Sequence, residues 1–269
     1  MKIFLNKNKL VKIIQKEKNV GFVPTMGAIH KGHISLIKKS ISDCDKTIVS
    51  IYVNKPQFNK KSDYLKYPRN LKKDISLLKK NKVDYLYMPS TSQIYSKEQY
   101  QKIKINSFGK KLCGRFRPRH FEAIADVIDR FINIIKPKKI YFGEKDMQQL
   151  KIMEDFARRN HPKIKIVGCK TIREKNGVAS SSRNFLLSFE EIKIASKIYR
   201  FLVNKKQKLI NSKISKEIIK RKIIKFGAKK IDYIEILNIN ELIKPYKKYK
   251  KFRIFIAYYL RSTRLIDNI

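Results

Sequence analysis

Cysteine, histidine and glycine are scarce in this chain, and acidic residues are far outnumbered by basic ones. The three cysteines, Cys44, Cys113 and Cys169, are widely spaced and odd in number. They form neither a Cys-x-x-Cys pair nor a disulfide framework, so reduced thiols with structural roles are expected. No apolar run approaches the roughly 20 residues that cross a bilayer. The longest candidates, such as Ile254–Leu260, are strand-sized. The opening MKIFLNKNKLVKII is broken by Asn and Lys, with no apolar h-region and no small-residue cleavage site. A cytoplasmic protein without membrane partners is the expectation.

Asp and Glu number 22 against 64 Lys and Arg, a formal net charge of +42. Such a surplus invites a nucleic-acid reading. Its distribution argues against one, because the excess is mainly lysine and runs from Lys2 to Lys251 without gathering into a stripe. Heavy Ile and Asn usage accompanies it, as an AT-rich genome would produce. No RNP-type aromatic string and no Cys/His finger spacing is present. Non-specific polyanion binding at low salt is expected, and specific nucleic-acid binding is not.

What is present is a globular chain of 269 residues, 42% hydrophobic, with ample sequence for a core. Strand-like runs alternate with amphipathic stretches. Residues 19–23, 47–53, 83–88, 139–142 and 164–167 read as strands, and 32–42, 71–80, 121–135 and 147–160 as helices. That alternation predicts an α/β fold with a Rossmann-like, doubly wound parallel sheet. Beyond Lys170 two helices, 190–204 and 215–226, precede two strands, 231–237 and 253–260. The expected organisation is a first domain over 1–170 and a smaller α+β domain over 171–269.

Residues 24–33 read PTMGAIHKGH and hold half of the chain's four histidines and two of its nine glycines. The segment follows the first predicted strand and opens a helix, the place where open parallel sheets bind ligands. Gly27 would allow a close backbone approach and Gly32 a tightly packed helix start. Free N–H groups at that helix start favour an anion such as phosphate. His30 and His33, one turn apart, could donate to phosphate oxygens and stabilise developing charge. A metal site would need a further ligand and usually a carboxylate, and no HExxH occurs.

An HxGH string after a first strand resembles the nucleotidyltransferase superfamily. The wider string resembles the PTMGALHxGH signature of the pantothenate synthetase (pantoate-β-alanine ligase) family. Further segments are similar to the same family in order: SIYVNKPQF at 50–58, YPRNLKKD at 67–74, RPRHF at 117–121, YFGEKDMQQL at 141–150, GVASSSRN at 177–184 and TRLIDN at 263–268. The resemblance covers nearly the whole chain. It implies two-step ligation: ATP adenylates the carboxylate of pantoate, releasing pyrophosphate, and the amine of β-alanine then displaces AMP.

Residue by residue, the resemblance implies that Met26, Gly27, Ala28, Ile29, His30, Lys31, Gly32 and His33 contact ATP, with His33 the proton donor. Gly143, Glu144, Lys145 and Asp146 would form a second ATP segment, with Lys145 facing the α-phosphate. Gln57 and Gln149 would hold pantoate, Asn54 would assist, and Gln57 would also place β-alanine. Ser180, Ser181, Ser182 and Arg183 would close over the triphosphate, Arg183 with a fork of donors suited to phosphate. Ile172 would lie against adenine. Magnesium is implied by ATP chemistry, with Asp74 as an outer contact, and a homodimer is carried over from the family.

Five positions depart from the family pattern: Arg119 in RPGHF, Ser180 before SSR, Arg261 where Gly is usual, Cys113 in place of Glu, and Asp126 in place of Thr. Two other readings stand beside the ligase. One is an HxGH nucleotidyltransferase with another acceptor, which the glutamines of the QF and QQL segments oppose. The other is a basic nucleic-acid-binding protein on an enzyme relic, which predicts no effect of ATP on thermal stability.

Overall fold

The computed structural model describes residues 1–95, 103–242 and 250–269. Six strands form one sheet: β1 (Lys2–Phe4), β2 (Val20–Thr25), β3 (Lys46–Ile51), β4 (Tyr85–Tyr87), β5 (Lys139–Gly143) and β6 (Lys165–Cys169). Their order is β1-β4-β3-β2-β5-β6 and every pairing is parallel. The helices threaded between them are α1 (Lys7–Ile14), α2 (Lys31–Asp43), α3 (Lys61–Leu65), α4 (Leu71–Lys80), α5 (Thr91–Ile94), α6 (Cys113–Phe116), α7 (His120–Ile135) and α8 (Met147–Asn160). Then follow α9 (Phe189–Ile210), α10 (Lys216–Lys225), β7 (Lys230–Asn238), β8 (Phe252–Leu260) and β9 (Thr263–Asn268). The last three strands make an antiparallel sheet in the order β7-β8-β9.

Period-two alternation sends successive strand residues to opposite faces. Phe22, Ile48, Tyr87 and Ile140 pack on one face with Ile124, Ile128 and Phe131 of α7 and Met153 and Phe156 of α8. Their neighbours Val23, Val49, Leu86 and Tyr141 pack on the other with Leu36 and Ile37 of α2 and Leu78 of α4. Both faces are covered, which is why these strands read as continuous apolar runs. Tyr233, Phe255 and Ala257 of the antiparallel sheet join the first of these cores, so the two sheets meet through apolar packing.

The predicted doubly wound sheet is present, with a smaller α+β unit behind it. Several elements lie outside the expectation, among them the short helices α3, α5 and α6. The strand β1 is a three-residue edge, too short to show periodicity, and α1 starts where the Asn6 side chain accepts the Lys9 N–H. TRLIDN, noticed only as a motif, is the strand β9. Helix α9 starts at a capping box of Ser188 and Glu191. It runs six residues past the expected end, because Leu209 continues the buried stripe two turns after Leu202.

Strand order reverses at β2, which has β3 on one side and β5 on the other. The carboxyl ends of β2 and β5 therefore open into one crevice, the binding position in open α/β sheets.

Candidate active site

The turn after β2 is built by backbone geometry and one carboxylate. Gly27 has φ +80° and Ala28 φ +50°. Asp74, at the first turn of α4, is buried and accepts the N–H of Ala28 at 2.9 Å and of Ile29 at 2.7 Å. A side chain on Gly27 would press on the Asp74 carboxylate at 3.0 Å and on Ile51. The close approach that glycine permits here is to this carboxylate. Asp74, expected as an outer magnesium contact, accepts one turn N–H at each carboxylate oxygen.

His30 is the N-cap of α2, its Nδ1 accepting the Gly32 N–H at 3.1 Å. That bond places the ring proton on Nε2 of the neutral imidazole. A side chain on Gly32 would strike the His30 ring at 2.8 Å, which explains the glycine between the two histidines. One turn on, the His33 ring stacks on His30 with centroids 3.9 Å apart. The Nδ1 of His33 is buried and has no hydrogen-bond partner. Burial, then the Lys145 charge, lowers the His30 pKa from 6.5 to about 4. Burial and the neighbouring His30 push His33 well below its ordinary value. Both rings are neutral at neutral pH.

Lys145 comes from the turn after β5, where Glu144–Asp146 form a 3-10 helix. Its ammonium lies 3.4 Å from Asp146. The antiparallel sheet fixes this turn: Asn268 of β9 donates to the carbonyls of Glu144 and Lys145, both at 2.8 Å, and Arg253 of β8 pairs with Glu144 at 2.6 Å. Gln148 and Gln149 open α8 and divide their work. Both line the cavity, but the Gln148 amide is already taken up by Cys113 N–H and the carbonyls of Phe108 and Lys111.

On the opposite wall, Gln57 Nε2 lies 3.0 Å from Met26 Sδ, and its Oε1 accepts from Asn54 at 3.2 Å. Asn54 also donates to Ala123 O and accepts from Tyr95, so it ties the end of β3 to α7. The carbonyl of Gln57 accepts from Arg117 at 3.1 Å and from His120 Nδ1 at 2.8 Å. His120 thus carries its proton on Nδ1, and its Nε2 accepts from Arg117. Burial, with Arg117 beside it, holds His120 neutral.

The segment after β6 roofs the crevice. Ser182 donates to Ala28 O at 3.1 Å, and Arg183 reaches Asp63 of α3 at 3.0 Å. Ser180 and Lys31 both bind Glu174, which joins the start of α2 to this segment. Together the walls enclose a cavity of about 860 Å³.

Met26, His30, Gly32, His33, Asn54, Gln57, Gly143, Lys145, Asp146, Gln149, Ile172, Ser180, Ser181, Ser182 and Arg183 all line this cavity. Among the expected nucleotide contacts, Gly27, Ala28, Ile29, Lys31 and Glu144 are not in that lining. Ile29 is core, Gly27 and Ala28 shape the turn, and Lys31 and Glu144 make ion pairs. The residues that sequence reasoning missed are Arg117, His120, Arg253 and Asn268. Three of them sit in the RPRHF and TRLIDN strings, whose match to the family was the available signal; Arg253 had none.

The departures from the family pattern fall in distinct local settings. Arg119 (φ +60°) and Arg261 (φ +46°) occupy left-handed backbone where a small residue or glycine is usual, a conformation costing an L-residue about 1 kcal/mol. Asp126 is buried against Arg130 at 2.8 Å, and Cys113 lies 3.0 Å from the Tyr233 hydroxyl.

The pantoate-beta-alanine ligase family model matches residues 2–269. A pantothenate synthetase of Endomicrobium trichonymphae is 42% identical over 275 residues, covering 100% of this chain and 97% of the relative. One from Pseudothermotoga lettingae is 40% identical, covering 97% and 94%. The crystal structure of a Francisella tularensis pantoate-beta-alanine ligase, complexed with beta-gamma ATP and beta-alanine, superposes with TM-score 0.88 at 38% identity, over 100% of this chain and 97% of that one. A Thermus thermophilus pantothenate synthetase gives TM-score 0.89 at 30% identity, covering 100% and 99%.

Proposed function

The chain belongs to the pantoate-beta-alanine ligase family, and we propose how its cavity performs that ligation. The enzyme joins pantoate to β-alanine at the expense of ATP. A pantoate carboxylate oxygen attacks the α-phosphorus; the bond from that phosphorus to the bridging oxygen breaks, and pyrophosphate leaves. The amine of β-alanine then attacks the acyl carbon, the carbon–oxygen bond breaks, and AMP leaves. The family match favours this reading over another acceptor or a nucleic-acid-binding relic.

The observation that carries the assignment is the convergence of the His30–His33 stack and Lys145 from the adjoining ends of β2 and β5. Lys145 offsets charge on the α-phosphate as the carboxylate approaches. His30 offers its Nε2–H to the phosphates, and His33, the proton donor, gains a proton as the triphosphate raises its pKa. Arg183 and the serines at 180–182 cover the triphosphate, and Ile172 lies along the adenine. Gln57 and Gln149 hold pantoate by amides that both donate and accept, with Asn54 keeping Gln57 in place and Gln57 also placing β-alanine. Holding these groups at contact turns a bimolecular step into an effectively unimolecular one.

Among the described residues no group of three or more His, Cys, Asp or Glu side chains could hold a metal ion. Magnesium would therefore arrive on the triphosphate oxygens with its own waters. Asp74 is assigned no metal contact. We divide the chain into a nucleotide and pantoate domain over 1–170 and a covering domain over 171–269. A homodimer follows from the family resemblance. A cytoplasmic location suits the three free thiols.

Incubation with ATP, magnesium, pantoate and β-alanine, followed by mass spectrometry, tests the reaction. Pantothenate with AMP and pyrophosphate is the expected product set. ADP and phosphate in place of AMP would overturn the adenylate route.

A further inference from the structure

Three guanidinium groups, Arg117, Arg183 and Arg264, line one wall of the cavity around His120, and all three depress its pKa. Two of them have carboxylates of their own. Arg264 pairs with Asp232 at 2.8 Å and Arg183 with Asp63 at 3.0 Å. Arg117 has only a 4.0 Å approach to that same Asp63, and its side chain is 15% exposed. It is a largely buried cation that spends its hydrogen bonds on two neutral acceptors, Gln57 O and His120 Nε2. Burial, with Arg183 and Arg264 nearby, draws its pKa down to about 10, so it stays charged. Buried charges are as a rule paired, and this one faces a substrate cavity. The uncapped amino-terminal end of α7 starts in the same turn and adds positive potential there.

We propose that Arg117 receives the carboxylate of the amine substrate, and so selects β-alanine over amines that lack a carboxylate. This inference rests on the ligase reading above. Of the two substrate carboxylates, that of pantoate becomes the acyl-phosphate anhydride. It must reach the α-phosphorus beside His33 and Lys145, and a guanidinium clamp would weaken it as a nucleophile. The β-alanine carboxylate is untouched in both steps and stays two methylenes from the attacking nitrogen, a fit partner for a fixed cation. Arg117 is anchored on the carbonyl of Gln57, whose side chain reaches Met26 at the start of the histidine turn. One residue thus links the wall that holds Arg117 to the wall where the acyl group forms. A guanidinium fork held by two acceptors is also pre-organised for bidentate carboxylate binding.

The test compares two readouts in the wild type and Arg117→Met. One is pantoate-dependent exchange of labelled pyrophosphate into ATP, which needs no amine. The other is kcat/KM for β-alanine and for β-alaninamide, which keeps the amine and loses the negative charge. Removing one partner of a buried charge pair is expected to lower β-alanine kcat/KM at least about thirtyfold. The β-alaninamide value and the exchange rate are expected to fall at least tenfold less, so the preference for β-alanine collapses. An unchanged preference, or equal losses in exchange and ligation, would overturn the proposal. Should Arg117→Met fail to fold, Arg117→Lys decides: a preference lowered several-fold with exchange less affected supports it, and an unaltered preference refutes it. Absence of exchange in the wild type would instead strike the ligase reading itself.

Discussion

The side-chain amide of Asn268 donates to the main-chain carbonyl of Lys145 at 2.8 Å, so β9 holds the loop that carries this cavity lysine. The same amide binds Glu144 O, and Arg253 closes the arrangement on the Glu144 carboxylate. Asn268→Ala would leave two carbonyls without donors at a cost of about 1–3 kcal/mol. The expected outcome is a lower melting temperature and an ATP requirement raised more than the β-alanine requirement, read from steady-state kinetics. An unaltered ATP requirement would show that the latch does not position Lys145.

His33→Ala removes the ring that stacks on His30 and carries a buried, unpartnered Nδ1. Because that nitrogen contributes no bond to the fold, thermal unfolding should shift little while adenylation falls by about 10²–10⁴-fold. Pyrophosphate exchange and a melting curve measure both, and unchanged turnover would remove His33 from the mechanism.

Neutral histidines give the free enzyme an acid-sensitive site. The His30 pKa lies at about 4 in the folded protein against 6.5 in the unfolded chain. Between those values the unfolded chain holds the proton and the folded protein does not, so stability rises with pH across the interval. The contribution is complete above 6.5 and is lost as pH falls toward 4, and His33 and His120 act in the same direction. A triphosphate reverses the preference by favouring the charged imidazoles. ATP binding at about pH 6 should therefore take up protons. Calorimetry in buffers of different ionisation heat would show it as a buffer-dependent enthalpy, and a buffer-independent enthalpy would refute it.

The paired glutamines at the start of α8 should behave differently. Gln149→Ala is expected to raise the pantoate requirement far more than the ATP requirement, as it removes a cavity amide. Gln148→Ala strips three hydrogen bonds, two of them fully buried, and should appear as lost stability. Equal effects of Gln149→Ala on both substrates would count against its pantoate role.

The parallel sheet is legible in the sequence because Phe22 and Val23, or Ile48 and Val49, leave both faces of a strand apolar. The histidine turn is legible because few alternatives explain two histidines and two glycines at a strand end. Roles played through the backbone are not legible. Nothing local marks Asp74 as the acceptor for Ala28 and Ile29, since the partners lie 45 and 46 residues apart in sequence. Arg253 and Asn268 are equally silent, because their purpose appears only when β8 and β9 meet the turn after β5. The family resemblance marked strings containing Arg117 and Asn268 but gave neither a task, as the task is a contact between distant segments.

The adenylate route makes one atom traceable. With both carboxylate oxygens of pantoate labelled with oxygen-18, one labelled oxygen attacks the α-phosphorus and stays on it when the amine displaces AMP. Mass spectrometry of the products should find one label in AMP and the other in the amide of pantothenate. Unlabelled AMP formed together with pantothenate would contradict the mechanism assigned to His33, Lys145 and their cavity.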